Sequence, residues 1–415
     1  MAVPSQDALA KVYGSDAGRA AERLAALAAR FKEAFGAGDP EYFTASGRTE
    51  IIGNHTDHNG GKILAASITM DSVAAAERTD DGVVTIWSEG YPEAIVVDTA
   101  AIDEVPRGGG STALVAGMFE AAVQRGFKVG GFNAVASSEV IPSAGVSSSA
   151  SFEMLVCEIV NHLYNDDAID RADYARIGQH AENVWWGKAS GLMDQMACAV
   201  GGTILLDFSD GVSYERVDFG FDELGCDLVI VNTGKGHADL SAEYSSVPNE
   251  MHAVAEALGV KNLCDTSEDA VLAHVAELRE RCGDRAVLRA LHYFEEVGRV
   301  EEAERAIAAG EKGRVLDLIT ASGRSSWEWL QNAVVPGMPE EQPIPLALAL
   351  TELYLRRIGA GACRLHGGGF AGVIMCVLPK AETAGYVDYI SSYFGRESVY
   401  LTNIRQTGAA CLGRA

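Results

Sequence analysis

Between Phe132 and Tyr164 the chain places a strand-forming run, a loop of small residues and a long amphipathic stretch in immediate succession. FNAVASSEV, directly after Gly130-Gly131, reads as a strand. In SFEMLVCEIVNHLY, residues Phe152, Leu155, Val156, Ile159 and Leu163 share one face of a 3.6-residue period, which predicts a core-facing helix. Ile141 to Ser151, IPSAGVSSSAS, joins the two. A helix start collects unpaired backbone N–H groups and the positive end of the helix dipole, so an anion is stabilised there. The small side chains of Ser143, Ala144, Gly145, Val146, Ser147, Ser148 and Ser149 let backbone amides approach such an anion, and serine hydroxyls can donate to phosphate or coordinate Mg²⁺. An ordinary serine-rich helix cap has the same local look. The loop is not the P-loop pattern G-x-x-x-x-G-K-[ST], which is absent from the chain, as is G-x-G-x-x-G.

The rest of the chain alternates strand and helix patterns. Asp16 to Phe35 reads as an amphipathic helix, and Val73–Ala76 with Val83–Trp87 flank Asp80-Asp81-Gly82 as a predicted hairpin. TILLDFSDGVSYERVDF, from Thr203, reads as strand, Asp-Gly turn and strand, and CDLVIVNT as a further strand. Val247 to Ser322 carries a helical pattern, and the end of the chain reads glycine loop, strand Val373–Leu378, helix Ala381–Phe394 and strand Ser398–Thr402. Hairpins mixed with helices predict an α+β fold rather than a doubly wound sheet, with a soft boundary near Asp207.

Charge narrows the function. Lys and Arg number 33 against 58 Asp and Glu, a net charge of −25, whereas a nucleic-acid binder needs a basic surface. With 48% hydrophobic residues the chain is globular and long enough for two or three domains. No apolar run reaches the roughly 18 residues of a membrane span. MAVPSQDALAKVYG lacks the basic-then-apolar pattern of a secretory signal, and the eight scattered cysteines form no C-x-x-C pair. Reduced thiols in a cytoplasmic protein are expected.

Two more glycine-bearing segments stand out. Gly47 to Gly61, GRTEIIGNHTDHNGG, sets charged side chains between glycines, an odd use of residues for a core element. His55, Asp57 and His58 invite a metal reading, but no further ligand stands at motif spacing. A polar surface turn and a ligand-binding loop remain as readings. His366 to Gly372, HGGGFAG, precedes a strand; its three glycines suit either a tight turn or close approach to a ligand.

In this order the segments resemble the GHMP kinases, and within them the galactokinases: a GR-x-N-x-IGEHTDYNGG-like signature at 47–61, a P-x-x-GLSSSAS-like loop at 142–151, an AEN…G-x-MDQ segment at 181–195 and a GGGFGG-like loop at 367–372. The resemblance covers most of the chain. It implies a two-domain fold, with residues 1–206 forming the N-terminal α+β domain and 207–415 a ferredoxin-like C-terminal domain with a helical insert. The active site is expected in the cleft between them. The implied activity is ATP-dependent phosphorylation of galactose at its anomeric hydroxyl, by direct in-line transfer. Asp194 aligns with the base and Arg48 with the residue that stabilises the transition state and keeps Asp194 ionised. Ser149 and Glu182 align with Mg²⁺ ligands; Ser88 and residues 143–149 with ATP contacts; Asn54, His55, Thr56, Asp57, Gly191 and Tyr244 with the sugar site. The expected partners are a small sugar and ATP, with no nucleic acid and no membrane, and the expected state is a monomer.

Departures from the pattern matter. Asn54 stands where the signature has Glu, a residue that contacts the sugar's C6 hydroxyl in the family, and Thr49-Glu50 replaces Val-Asn. Other changes are Ser46 for Pro, His58 for Tyr and Ala371 for Gly. A neutral amide still binds a hydroxyl but no longer repels a C6 carboxylate, which makes galacturonate a competing substrate. Glu50 adds a negative charge with no role visible in the sequence. A non-catalytic sugar sensor is a further alternative, disfavoured by the intact serine loop together with Arg48 and Asp194. A mevalonate- or homoserine-type enzyme is weakened by the HTD residues, Thr56 and Asp57 among them.

Overall fold

The computed structural model describes residues 3–142, 145–188, 190–234 and 240–414. Its strands, in chain order, are β1 (Glu41–Ile52), β2 (Lys62–Arg78), β3 (Val83–Ser88), β4 (Ile95–Asp98), β5 (Phe132–Ser138), β6 (Thr203–Asp207), β7 (Ser213–Val217), β8 (Cys226–Asn232), β9 (Ala362–His366), β10 (Val373–Pro379), β11 (Val399–Thr402) and β12 (Ala410–Gly413). Eight of them form one mixed sheet in the order β12-β1-β2-β5-β3-β4, with β6 on β2 and β7 on β6; the other four form an antiparallel sheet, β11-β8-β10-β9. The fold is α+β.

β2 is buried along almost its whole length, and its two faces serve different cores. Ala74 and Ala76 face the helix Ser148–Tyr164, through Met154 and Leu155, while Val73 and Ala75 face the helix Ala17–Phe35, through Leu24, Leu27 and Phe31. A strand covered on both faces is near-continuously apolar rather than alternating, and its small alanines let the helices approach.

The predicted hairpin at Asp80-Asp81-Gly82 is corrected. The chain turns there, but β2 and β3 are not partners: β5 lies between them, antiparallel to β2 and parallel to β3, and β3 takes β4 as its antiparallel neighbour. A turn signal sets the reversal, whereas neighbour choice is decided by which strand completes the buried sheet. The second hairpin forms, β6 pairing β7 from Thr203↔Val217 to Asp207↔Ser213. The expected division at 206/207 thus falls at the end of β6, within a paired hairpin, and the C-terminal β12 returns to β1 in the first sheet.

The two sheets meet over a shared apolar cluster. Ile51, Ile52, Leu64, Val140 and Val146 from the first half pack with Leu228, Ile230, Val373 and Met375 from the second, capped by Val300, Ala303, Leu318 and Ile319 of the helices Asp284–Ala308 and Lys312–Ser325. A polar seam lies beside this cluster. Among the described residues no helix is long and apolar enough to cross a membrane, and all eight cysteines are unpaired.

Candidate active site

The signature 47–61 is no surface turn. Its first half is the end of β1, buried through Ile52. At Gly47 the register slips between Ser46 and Arg48, and a Cβ there would stand 3.0 Å from the Val146 carbonyl oxygen. A side chain here would push the serine loop back by a few tenths of an ångström, and the Arg48 N–H donates to that same oxygen at 3.2 Å. The glycine therefore sets the distance between β1 and the loop.

Arg48 is buried and reaches along the loop. Its Nε donates to Asp194 Oδ1 at 2.7 Å, and its Nη1 donates to the Gly145 carbonyl. Asp194 is the second residue of the helix Met193–Val200, where the dipole favours a carboxylate. Its other oxygen accepts from Ser147 Oγ at 2.5 Å. Burial works to raise the Asp194 carboxyl, but the Arg48 charge and hydrogen bond, with Ser147 and Lys188, hold it below the ordinary carboxylate range. Ser147 precedes the helix Ser148–Tyr164 with φ +60°, a left-handed conformation uncommon for serine, which turns its hydroxyl to Asp194.

At the second residue of that helix, Ser149 Oγ donates to Glu182 Oε1 at 2.9 Å. Glu182 lies in a π-helical turn, Ala181–Trp185. The same oxygen accepts from Lys188 Nζ at 2.7 Å, a cation that no motif singled out. Gln195 Nε2 bridges Glu153 at 3.1 Å and Glu182 at 3.5 Å. Burial and the Glu182 charge push the Glu153 carboxyl well up.

The sugar-signature turn follows. Thr56 Oγ1 donates to the Lys62 carbonyl at 2.8 Å and closes the turn. His55 takes φ +61°, and its Nε2 lies 3.0 Å from the Gly368 carbonyl. Burial, then the neighbouring His58, lowers His55 to about 4, so the ring is neutral at pH 7. The Asp57 carboxylate lies against Gly191, where any Cβ would collide with it. It accepts no hydrogen bond from the described residues; its near neighbour is His58 Nε2 at 3.6 Å. Tyr244, from the helix Ser241–Ala257, donates to the Gly369 carbonyl at 2.8 Å and sets its ring edge-on to Phe370. A Cβ on Gly368 would stand 2.5 Å from that ring.

Asn54 is placed differently from expectation. It is buried, and all four hydrogen-bonding positions of its amide are taken by protein: Nδ2 donates to Glu50 Oε1 at 3.0 Å and the Gly367 carbonyl at 2.8 Å, while Oδ1 accepts from Asn332 Nδ2 at 2.8 Å and Ser326 Oγ at 3.3 Å. Glu50 also has a place. It pairs with the buried Arg364 of β9 at 2.7 Å, although burial still raises its carboxyl against the pull of Arg364 and Arg48. Glu296 supports the same turn from below. Its Oε1 accepts from the backbone N–H groups of Gly53 at 2.9 Å and Asn54 at 3.2 Å, and its Oε2 from Arg299 Nε at 2.7 Å. No sequence motif announced Glu296, since a helix heptad does not show what lies above it.

Ser143 and Ala144 lie outside the described residues. Ser88 ends β3 opposite Ala136 of β5, the strand that leads into the phosphate loop; among the described residues it shares no hydrogen bond with the Asp194 cluster. The loop, β1, the signature turn and the 367–372 glycines otherwise converge where the two sheets meet: Thr49 Oγ1 and His366 Nε2 are 2.9 Å apart across that seam.

A serine loop at a helix start beside an arginine-held aspartate, in a two-sheet α+β chain, defines a GHMP kinase. Residues 113–202 match the family described as GHMP kinases N terminal domain, and residues 29–78 match the galactokinase galactose-binding signature. A galactokinase of Lactococcus lactis subsp. lactis is 30% identical over 375 residues, covering 88% of this chain and 89% of that protein; one of Streptomyces coelicolor is 31% identical, covering 85% and 88%. The chain belongs to the galactokinase family. The crystal structure of L. lactis galactokinase complexed with galactose superposes with a TM-score of 0.81 at 26% identity, over 93% of this chain and 99% of that one. A mevalonate kinase, at 14% identity and TM-score 0.62, shares the fold.

Proposed function

We propose that the protein phosphorylates galactose, transferring the γ-phosphoryl group of ATP to the anomeric hydroxyl and releasing galactose 1-phosphate and ADP. The observation that carries this reading is the Arg48–Asp194–Ser147 contact set beside Ser149, Glu182 and Lys188.

Phosphoryl transfer runs through a loose transition state, so positioning and charge matter more than a strong base. The sugar's anomeric oxygen forms the new bond to the γ-phosphorus as the bond to the β,γ-bridging oxygen breaks. The hydroxyl proton passes to an Asp194 carboxylate oxygen. A carboxylate held ionised by Arg48 stays ready to accept that proton late, when the oxygen has become acidic. Arg48 also faces the developing charge. Asp57, whose carboxylate accepts no hydrogen bond from the described residues, accepts from sugar hydroxyls; His55, Thr56, Gly191 and Tyr244 shape the same pocket, and Asn54 acts from beneath it. Residues 145–149 wrap the phosphates, Lys188 neutralises them, and Ser88 lies on the nucleotide side.

Mg²⁺ fits this donor set. Ser149 and Glu182 are hard oxygen ligands, Lys188 already places a cation on Glu182, and buried oxygens of Glu153 and Gln195 have no partner nearby among the described residues. Ser149 and Glu182 would hold it. When bound, it supplies charge neutralisation and alignment of the phosphate oxygens.

Galactokinase relatives along most of the chain favour a catalyst over a sensor, and galactose over galacturonate. The same reading makes it a cytoplasmic monomer. The test is ADP release over galactose, galacturonate, N-acetylgalactosamine and arabinose, with the product identified by phosphorus NMR. Galactose should give the highest kcat/KM and an anomeric phosphate; no turnover with any of the four would overturn the reading.

A further inference from the structure

Away from the reaction, three segments remote in sequence bring together a carboxylate, an imidazole and a thiol. Glu41 opens β1, His162 lies near the end of the helix Ser148–Tyr164, and Cys411 lies in β12. One donor atom from each falls within 4.8 Å of the other two. We propose that Glu41, His162 and Cys411 form a second metal site, for one divalent cation of borderline softness such as Zn²⁺.

The surroundings orient the Glu41 and His162 donors as such a cation requires. Glu41 Oε1 accepts from Arg414 at 3.0 Å, which leaves Oε2 turned to His162 Nε2 at 2.9 Å. His162 Nδ1 faces Asp167 at 3.1 Å, the carboxylate–histidine arrangement that fixes the tautomer and leaves Nε2 as the ligand. The Phe43 ring packs edge-on against the imidazole at 5.7 Å and limits its rotation. Imidazole nitrogen, thiolate sulfur and one carboxylate oxygen are the donors zinc takes, at about 2.0–2.3 Å, whereas Mg²⁺ and Ca²⁺ call for oxygen alone. The side chains of His162 and Glu41 are partly exposed, so a water can complete a tetrahedron. Binding releases the Cys411 thiol proton to solvent. The ion would clip the C-terminal strand to β1 and to the far end of the helix that starts at the phosphate loop. His162 is 13 residues beyond Ser149, about 20 Å along that helix, so the clip does not touch the transfer chemistry.

The test uses the full-length protein, stripped of metal and free of nucleotide, titrated with Co²⁺ and Zn²⁺. One equivalent should bind; Co²⁺ should give a thiolate-to-metal absorption in the near ultraviolet with the visible bands of tetrahedral cobalt, and Zn²⁺ should raise Tm by a few degrees. Cys411→Ser should lose the thiolate band and bind Zn²⁺ at least tenfold more weakly, and His162→Gln should bind it more weakly still. Both should keep galactose turnover in Mg²⁺ buffer, which shows that they fold. Wild-type protein without a thiolate band, or an unchanged band and affinity in Cys411→Ser, would overturn the proposal.

Discussion

The Glu50 carboxylate meets the Arg364 guanidinium at 2.7 Å, an ion pair between strands of the two sheets in which both side chains are buried. The same carboxylate accepts from Asn54, four residues on. Against the family signature, amide and acid have changed places at 50 and 54, and in this chain the two bond to each other. The two departures from the signature are thus in direct contact in this chain, which predicts that they are energetically coupled. Glu50→Asn alone strands Arg364 and should destabilise by about 3–5 kcal/mol. Asn54→Glu alone sets a second carboxylate beside Glu50 and should also destabilise. The double exchange should lose less than the sum of the singles by at least about 1 kcal/mol, read from urea unfolding; simple additivity would refute the coupling.

Removing the proton acceptor is the most direct check of the reaction. Asp194→Asn keeps the shape beside Arg48 and Ser147 but cannot take the anomeric proton. Galactose-dependent ADP release should fall by about 10²–10⁴-fold, while ATP binding, measured by calorimetry, stays within a few-fold of wild type.

The pH dependence follows from Arg48. A depressed carboxyl stays ionised as pH falls through the ordinary value of about 4, and its contribution to stability is likewise lost only as pH drops through the lowered value. Asp194 should therefore put no acid limb on kcat/KM between pH 5 and 8. In Arg48→Met the burial that raises this carboxyl is no longer opposed by the guanidinium. The variant should be slower and show an acid limb displaced to higher pH; a profile parallel to wild type would show that Arg48 does not control this ionisation.

Glu296 holds the backbone amides of Gly53 and Asn54 in the sugar turn from the side chain of a distant helix. Burial opposes its charge, yet neighbouring positive groups, Arg299 and Arg364 among them, keep it ionised. Glu296→Gln weakens charge-assisted bonds to Gly53 and Asn54, each contributing about 1.5–3 kcal/mol. KM for galactose should rise roughly tenfold with KM for ATP little changed. An equal loss for both substrates would mark Glu296 as a general stability residue.

The contacts around Asp194 were legible in the sequence because they are carried by local patterns. Ser147 to Ser149 at a helix start, Arg48 after Gly47 and Asp194 in its GLMDQ segment depend on backbone geometry that neighbouring residues set, so motif and structure coincide. The helices Ala17–Phe35, Ser148–Tyr164 and Thr383–Phe394 and the 203–219 hairpin were legible for the same reason, whereas Ser111–Gln124 and Pro343–Ile358 were not read. What the tertiary structure decided is partnership. The Asp80-Gly82 turn could not tell which strand would lie beside β2, and β5 took that place. Nor could the residue at 54 tell which way its amide would point: the fold surrounds it with Glu50 of its own segment, Gly367, and Ser326 and Asn332 of a third, and takes every donor and acceptor of its amide. Local sequence sets conformation through sterics and hydrogen bonds a few residues long. Burial of charge is settled only when distant segments close around it, because an acid such as Glu50 is stable inside only once Arg364 has arrived.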